Sequence, residues 1–292
     1  MQNFKLNEEF LLNNQDWTFP TFTAYGPGRF KEIGKFCKNF KINNALIVTD
    51  SGSVNLPFIS DLQNLLNDSK IKSDIYSNIS PNPRDDEIDS GCKKFREGNH
   101  DAIIAIGGGS AMDGGKAISL TVNSGVPLWD FEFEKEPPKL TMENPFPKII
   151  TIPTTAGTGA ETEVTAMVTH LEKGMKFCLW HPDARPCLAL VDPELTLKLP
   201  ANLTAWTGID AMIHAIEGYS VPMFHPLCDG SALESLNLIS KSLYSAVEEP
   251  DNLLARGGMI IGSYLGGIAF LKGLGLVLSL IHISEPTRLR SI

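Results

Sequence analysis

The stretch DAIIAIGGGSAMDGGKAI, Asp101 to Ile118, restricts the fold of this chain more than any other. Its first six residues, Asp101–Ile106, are almost wholly aliphatic with no polar alternation, which fits a strand buried on both faces, as in parallel sheets. The run passes straight into Gly107-Gly108-Gly109-Ser110, and a helical pattern starts at once. A buried strand turning into a helix over glycines is half of a βαβ unit. The same texture recurs along the first two-thirds of the chain. NALIVTD (44–50) reads as a strand, and LPFISDLQNLLNDS after it places Phe58, Ile59, Leu62, Leu65 and Leu66 on one helical face. SDIYSNI, PKIITIPTT and LALVDPEL read as further strands, and SPNPRDDEIDSGCKKFREG turns into a helix. This alternation predicts an α/β domain over residues 1–200. After Pro200 the pattern changes to three helices, NLTAWTGIDAMIHAIEGYS, PLCDGSALESLNLISKSLYSAVEE and PDNLLARGGMIIGSYLGGIAFL. These predict an all-α domain from 201 to 277, with Asn202 or Thr204 capping its first helix and Asp251 its third.

The glycine turn carries the clearest chemistry. Glycines let backbone N–H groups approach a ligand closely, and the helix N-terminus adds partial positive charge, so the turn suits a pyrophosphate. It is neither G-x-G-x-x-G nor a Walker A loop, because Ser110 stands five residues before Gly115 and Ala117 follows Lys116. A plain tight turn needing positive φ is the competing explanation. A second polar loop, TIPTTAGTGAE (151–161), offers Thr154, Thr155 and Thr158 at the end of a strand. Ligands of open α/β sheets bind at the carboxyl ends of strands, so the two loops can share one ligand. Asp50, closing NALIVTD, suits ribose hydroxyls and would repel a 2′-phosphate, which favours NAD over NADP; it equally suits a turn.

In the helical part, Asp210 and His214 lie four positions apart, on one helix face, close enough to grip a single ion. The net charge of −9 and the lack of a basic stripe argue against nucleic acid as a partner. Five scattered cysteines with no C-x-x-C read as reduced thiols, and no signal peptide is visible, so a cytoplasmic location is expected. The apolar run Met259–Leu271 is too short for a membrane span and is ended by Lys272, which makes it a core helix and leaves no membrane partner. Among the histidines, His100 is expected at the surface. His170, His181 and His225 fall in loop-like contexts, with His225 the best placed of the three to touch a substrate.

Taken in order, Tyr25-Gly26-Pro27-Gly28, Pro81-Asn82-Pro83, Gly107–Ser110 with Asp113 and Lys116, TIPTTAGTG, VDPELTLKLP, GIDAMIHAIEGY and ARGGMIIGSYLGGIAF resemble the iron-containing (group III) alcohol dehydrogenase family, from about residue 20 to 277. The resemblance implies a dehydroquinate synthase-like architecture, with an N-terminal dinucleotide-binding domain, an all-α C-terminal domain and the active site in the cleft between them. It implies that Asp50 contacts the adenosine ribose and that Gly108, Gly109 and Ser110 hold the pyrophosphate. Asn82, Asp113, Thr154, Thr155, Thr158 and Lys176 then line the cofactor path, and Asp210 and His214 are the first two metal ligands. The implied activity is hydride transfer between a small alcohol, or the matching aldehyde or other carbonyl compound, and NAD, with NADP as the other option. Fe²⁺, or Zn²⁺, acts as Lewis acid. A homo-oligomer is implied for the full-length protein.

The chain departs from the family where two further ligand histidines are due. Position 278 is Leu, and LSLIHISEPTRLRSI (278–292) resembles translated sequencing-adapter read-through. The expectation is therefore an incomplete helical domain, a non-native tail and an inactive fragment whose remaining catalytic groups are unknown. Two other readings stand beside it: a non-catalytic nucleotide-binding remnant, and a lyase of the dehydroquinate synthase type, which needs a basic phosphate-binding cluster that GIDAMIHAIEGYS lacks.

Overall fold

A computed structural model describes residues 21–140, 143 and 146–272. The five strands expected from sequence form around β4 (Ala102–Gly107), every residue of which is buried. Its neighbours are β2 (Asn44–Asp50) on one side and β5 (Lys148–Pro153) on the other. β3 (Lys72–Ile79) closes one edge, and β8 (Leu188–Val191) leads to the other, where the three-residue β1 (Thr23–Tyr25) completes a parallel sheet in the order β1-β8-β5-β4-β2-β3. Strand alternation splits the apolar side chains between two cores. Leu46, Val48, Ile103 and Ala105 face α3 (Asp85–Glu97) and α4 (Gly109–Val122). Ala45, Ile47, Ile104 and Ile106 face α1 (Ile33–Asn39) and α2 (Pro57–Asp68). Both faces of the sheet are covered, which explains why its strands read as unbroken apolar runs.

The chain leaves β2 outward to β3 and returns past it to β4, so the direction of winding switches between β2 and β4. At such a point the carboxyl ends of neighbouring strands open a crevice. One element has no counterpart in the sequence reading: an antiparallel hairpin of β6 (Ala166–His170) and β7 (Met175–Leu179), turned at Gly174, whose φ is 62°. Its mixed polar and apolar residues belong to a half-exposed ribbon, which carries a weaker pattern than a buried strand.

Beyond Pro200 the chain is helical: α5 (Ala201–Ser220), α6 (Pro226–Glu248) and α7 (Leu253–Ala269). The caps differ from expectation. α5 starts at Ala201, which leaves Asn202 and Thr204 inside its first turn. The Thr204 hydroxyl instead accepts a 2.7 Å bond from the buried Arg256 guanidinium, tying α5 to α7. At α7 the cap is Asn252, one residue after Asp251; its side-chain oxygen accepts from the Ala255 N–H at 3.0 Å. The apolar segment there is also longer than the sequence reading allowed. Leu253–Lys272 is 20 residues with mean hydropathy 1.4, long and apolar enough to cross a membrane by length and composition, and 67% of its most apolar window is buried in this fold. It packs on α5 and α6, where Gly262 lets Ile239 approach its backbone. The outward face of α5 remains apolar and open, with Trp206 38%, Ile209 40% and Ile216 44% exposed.

Candidate active site

The crevice at the switch point gathers most of the residues singled out from sequence. Gly107 has a φ of 145°, a conformation side chains avoid, so the turn explanation holds for this glycine. Gly109 has an ordinary helical role and is glycine for a different reason: a Cβ there would stand 2.9 Å from the Thr158 methyl carbon. Gly108 precedes α4 in extended conformation and lies under Thr155, whose side-chain atoms would be 3.6–3.7 Å from a Cβ on it. The Thr154 N–H donates to the Gly107 carbonyl at 2.9 Å. The glycine turn and the threonine loop are therefore in direct contact, and α4 points its N-terminus at the space they border.

Two further segments join them. The Ser110 hydroxyl donates to the Pro81 carbonyl at 2.6 Å, which draws Asn82 to the same rim. Lys176, from β7, reaches over and donates to Asn82 Oδ1 at 3.0 Å. Asp50 does make a turn: its Oδ1 accepts from the Gly52 and Ser53 N–H groups at 3.0 and 2.9 Å, and its Oδ2 accepts from the Ser53 hydroxyl at 2.7 Å. That turn also holds the carboxylate beside Gly107, where a Cβ would stand 3.1 Å from Oδ2. The two readings of Asp50 are compatible, because the turn fixes an anion at the lip of the crevice.

Below the crevice lies a charged cluster of which sequence reasoning picked out Asp113 and Lys116 but not the acids Glu161 and Glu163. Lys116 is 2% exposed and pairs with Asp113 at 3.4 Å. Burial raises the Asp113, Glu161 and Glu163 carboxyls above their ordinary range, and Glu161, 2% exposed, is pushed up to about 7. The Glu163 carboxylate accepts a 2.6 Å bond from the Thr165 hydroxyl. The sequence signal was slight: three acids and a lysine scattered over some fifty positions of ordinary polar sequence.

On α5, Asp210 Oδ1 and His214 Nε2 are 3.5 Å apart, as the four-residue spacing requires. His214 is set by edge-on packing against Phe270, with ring centroids 4.6 Å apart, and its Nδ1 is buried with no hydrogen-bond partner. A carboxylate oxygen and the imidazole Nε2 facing each other across one helical turn form a donor pair that fits a divalent transition metal. Among the described residues no group of three or more His, Cys, Asp or Glu is placed to hold a metal. Position 278, His282 and the 278–292 tail lie outside the described residues.

The crevice and the Asp210–His214 pair meet at the threonine loop. A Cβ on Gly157 would fall 2.8 Å from Thr207 Cβ, three residues before Asp210, and one on Gly159 would fall 2.7 Å from Gly267 Cα of α7. The remaining histidines are structural. His100 is buried rather than at the surface, held between the Asn44 side chain at 3.1 Å and Asp74 at 3.4 Å. His170 ends β6, stacked on Trp129 with centroids 4.4 Å apart. His181 is buried near the Pro138 carbonyl at 3.2 Å. His225 caps α6, its Nδ1 accepting from the Cys228 N–H at 3.3 Å, which gives it a structural task.

Comparison with known proteins agrees with this arrangement. Residues 20–193 match the family Iron-containing alcohol dehydrogenase, and residues 204–283 match Fe-containing alcohol dehydrogenase family, C-terminal. An NAD-dependent methanol dehydrogenase of Bacillus methanolicus is 34% identical over 264 residues, covering 90% of this chain and 68% of that protein. The crystal structure of a 1,3-propanediol oxidoreductase superposes with a TM-score of 0.84 at 32% identity, covering 90% of this chain and 68% of that one. A sulfoacetaldehyde reductase from Bifidobacterium kashiwanohense, solved in complex with NAD⁺, gives a TM-score of 0.80 at 32% identity, covering 89% and 67%. With a parallel six-stranded sheet, a helical C-terminal part and both family matches in register, the chain belongs to the iron-containing alcohol dehydrogenase family.

Proposed function

We propose that this chain is a fragment, inactive by itself, of an enzyme that carries out NAD-dependent hydride transfer between a small alcohol and its aldehyde, with the cofactor in the switch-point crevice and the reacting carbon near Asp210 and His214. The observation that supports this most is the direct contact of glycine turn and threonine loop, with Asp50 at one end and the α5 metal-ligand pair behind the other. The N–H groups at the start of α4 and the helix dipole favour the pyrophosphate. The Thr154, Thr155 and Thr158 side chains lie along the path toward α5, with Asn82 and Lys176 on its opposite rim and Asp113 beneath it. Asp50 accepts from ribose hydroxyls and repels an added 2′-phosphate, which selects NAD over NADP.

Asp210 and His214 are the residues of this chain that would hold Fe²⁺, with Zn²⁺ accepted by the same donors. When bound, the metal supplies a Lewis acid that eases loss of the alcohol proton. The chain's own contribution is to fix the imidazole plane through Phe270 and to exclude water through the apolar seam of α5 and α7. Its residue boundaries are assigned as a cofactor domain to residue 200 and a metal-binding domain from 201, acting in the cytoplasm and as a homo-oligomer.

The test is calorimetric titration of the 292-residue chain with NAD⁺ and NADP⁺, followed by Fe²⁺-loaded assays on a panel of short alcohols and aldehydes. NAD⁺ binding well above NADP⁺ binding, abolished by Gly109→Val, is the expected result. Equal affinity for both cofactors would remove the assigned role of Asp50, and no binding of either would end the cofactor reading.

A further inference from the structure

Lys116 belongs to the sequence motif that begins at the glycine turn, yet it does not line the crevice. It is 2% exposed, about two turns into α4. An ammonium so deep is costly unless paired and hydrogen-bonded, and this one is both. It pairs with Asp113 at 3.4 Å and donates to the Ala160 carbonyl at 2.9 Å. Ala160 in turn donates its N–H to the Thr158 hydroxyl at 3.3 Å, and Thr158 is the residue seated on Gly109. A short chain of contacts thus runs from Lys116 through Ala160 and Thr158 to the glycine turn.

The start of the loop is tied to the glycine turn by the bond from the Thr154 N–H to the Gly107 carbonyl. Further along, Gly157 abuts Thr207 of α5 and Gly159 abuts Gly267 of α7, both at distances that leave no room for a methyl group. Those two contacts push the loop but do not hold its Thr158–Ala160 part toward α4, and Lys116 supplies that hold. We propose that Lys116 is a positioning residue for cofactor binding: its buried ammonium, carried by Asp113, draws the Ala160 carbonyl to α4 and so keeps Thr158 over the glycine turn. This rests on the crevice being the NAD site. The ammonium touches neither cofactor nor substrate, and its effect falls on the half of the crevice bordered by the threonine loop. The adenosine end, at Asp50, is anchored by its own turn and is independent of it.

The experiment is to titrate the full chain with NAD⁺ and, separately, with adenosine, which lacks a phosphate and fills only the adenosine end. Lys116→Met is expected to raise the Kd for NAD⁺ by about tenfold, the effect of losing one charge-assisted hydrogen bond, and to leave the Kd for adenosine unchanged. Unchanged NAD⁺ binding, or a proportional loss of both ligands, overturns the inference; the second result marks a purely structural lysine. If Lys116→Met does not fold by circular dichroism, Gly157→Ala decides, since it displaces the same loop from the α5 side without touching the ammonium. Selective loss of NAD⁺ affinity supports the role of loop position, and wild-type affinity for NAD⁺ overturns it. A wild-type chain that binds adenosine but not NAD⁺ removes the cofactor reading itself, and the wild-type titration alone shows this.

Discussion

The switch-point crevice and the Asp210–His214 pair are built in opposite ways. The crevice is made mostly of backbone, from turns at the ends of β2, β4 and β5 that the sheet holds side by side. The pair is made of two side chains on a single helix, whose outer face is apolar and open among the described residues. A helix apolar on nearly all sides is normally enclosed, whereas a sheet covered on both faces is already satisfied. The difference teaches that a crevice of backbone turns takes its shape from the sheet that carries it, while a pair of side chains on one helix depends for its surroundings on what packs beside that helix.

The largest effect expected from breaking this arrangement is electrostatic and lies beneath the crevice. Glu161 titrates at about 7 in the fold against 4.5 in the open chain, so between those values the folded state keeps a proton the unfolded state has lost. Stability is therefore full below pH 4.5, falls as the pH rises toward 7 and is level above it. Glu161→Gln should remove about 3 kcal/mol of that pH dependence, read as the difference between urea-unfolding curves of variant and wild type at pH 4.5 and pH 8. A difference that does not change with pH would mean the carboxyl is not held neutral.

Next comes the seam between the two regions. A Cβ on Gly267 would stand 2.7 Å from the Gly159 carbonyl oxygen, backbone against backbone. Gly267→Val should cost about 2–3 kcal/mol in urea unfolding, and weaken NAD⁺ binding because the threonine loop moves with it. A loss of stability with NAD⁺ affinity intact would show that the seam and the crevice are independent.

A smaller and more local change tests the crevice alone. Asp50→Ala removes an anion and three hydrogen bonds of the turn, and should lower NAD⁺ affinity about tenfold, equivalent to about 1.4 kcal/mol, in calorimetry. It should also narrow the preference over NADP⁺. The smallest effect is predicted on the open face of α5. Trp206→Phe, which keeps the buried part of the side chain at a site 38% exposed, should change stability by less than about 1 kcal/mol if that face is bare in solution. A cost above about 1.5 kcal/mol would show the face covered, and would remove half of the comparison drawn above.

Much of the fold was legible because burial writes itself into composition. β4 and β2 read as strands since both their faces are apolar, and the change after Pro200 is a change of hydrophobic period. The half-exposed hairpin β6–β7 and the three-residue β1 carried too little pattern to be seen. His100 was misplaced because a buried imidazole lodged between Asn44 and Asp74 looks, in sequence, like any polar residue before a strand.

For the site, local spacing alone determined two things: a glycine turn at the end of a buried strand, and a carboxylate one helical turn from an imidazole. Both are short-range properties, fixed by the periods of strand and helix. Only the tertiary structure decided that Thr158 sits on Gly109, that Gly157 and Gly159 press on α5 and α7, and that Lys116 is buried behind them. Those facts depend on which strands become neighbours at the switch of winding and on how closely helices approach where side chains are absent. No window of sequence contains such information, because the contacts join residues dozens to more than a hundred positions apart.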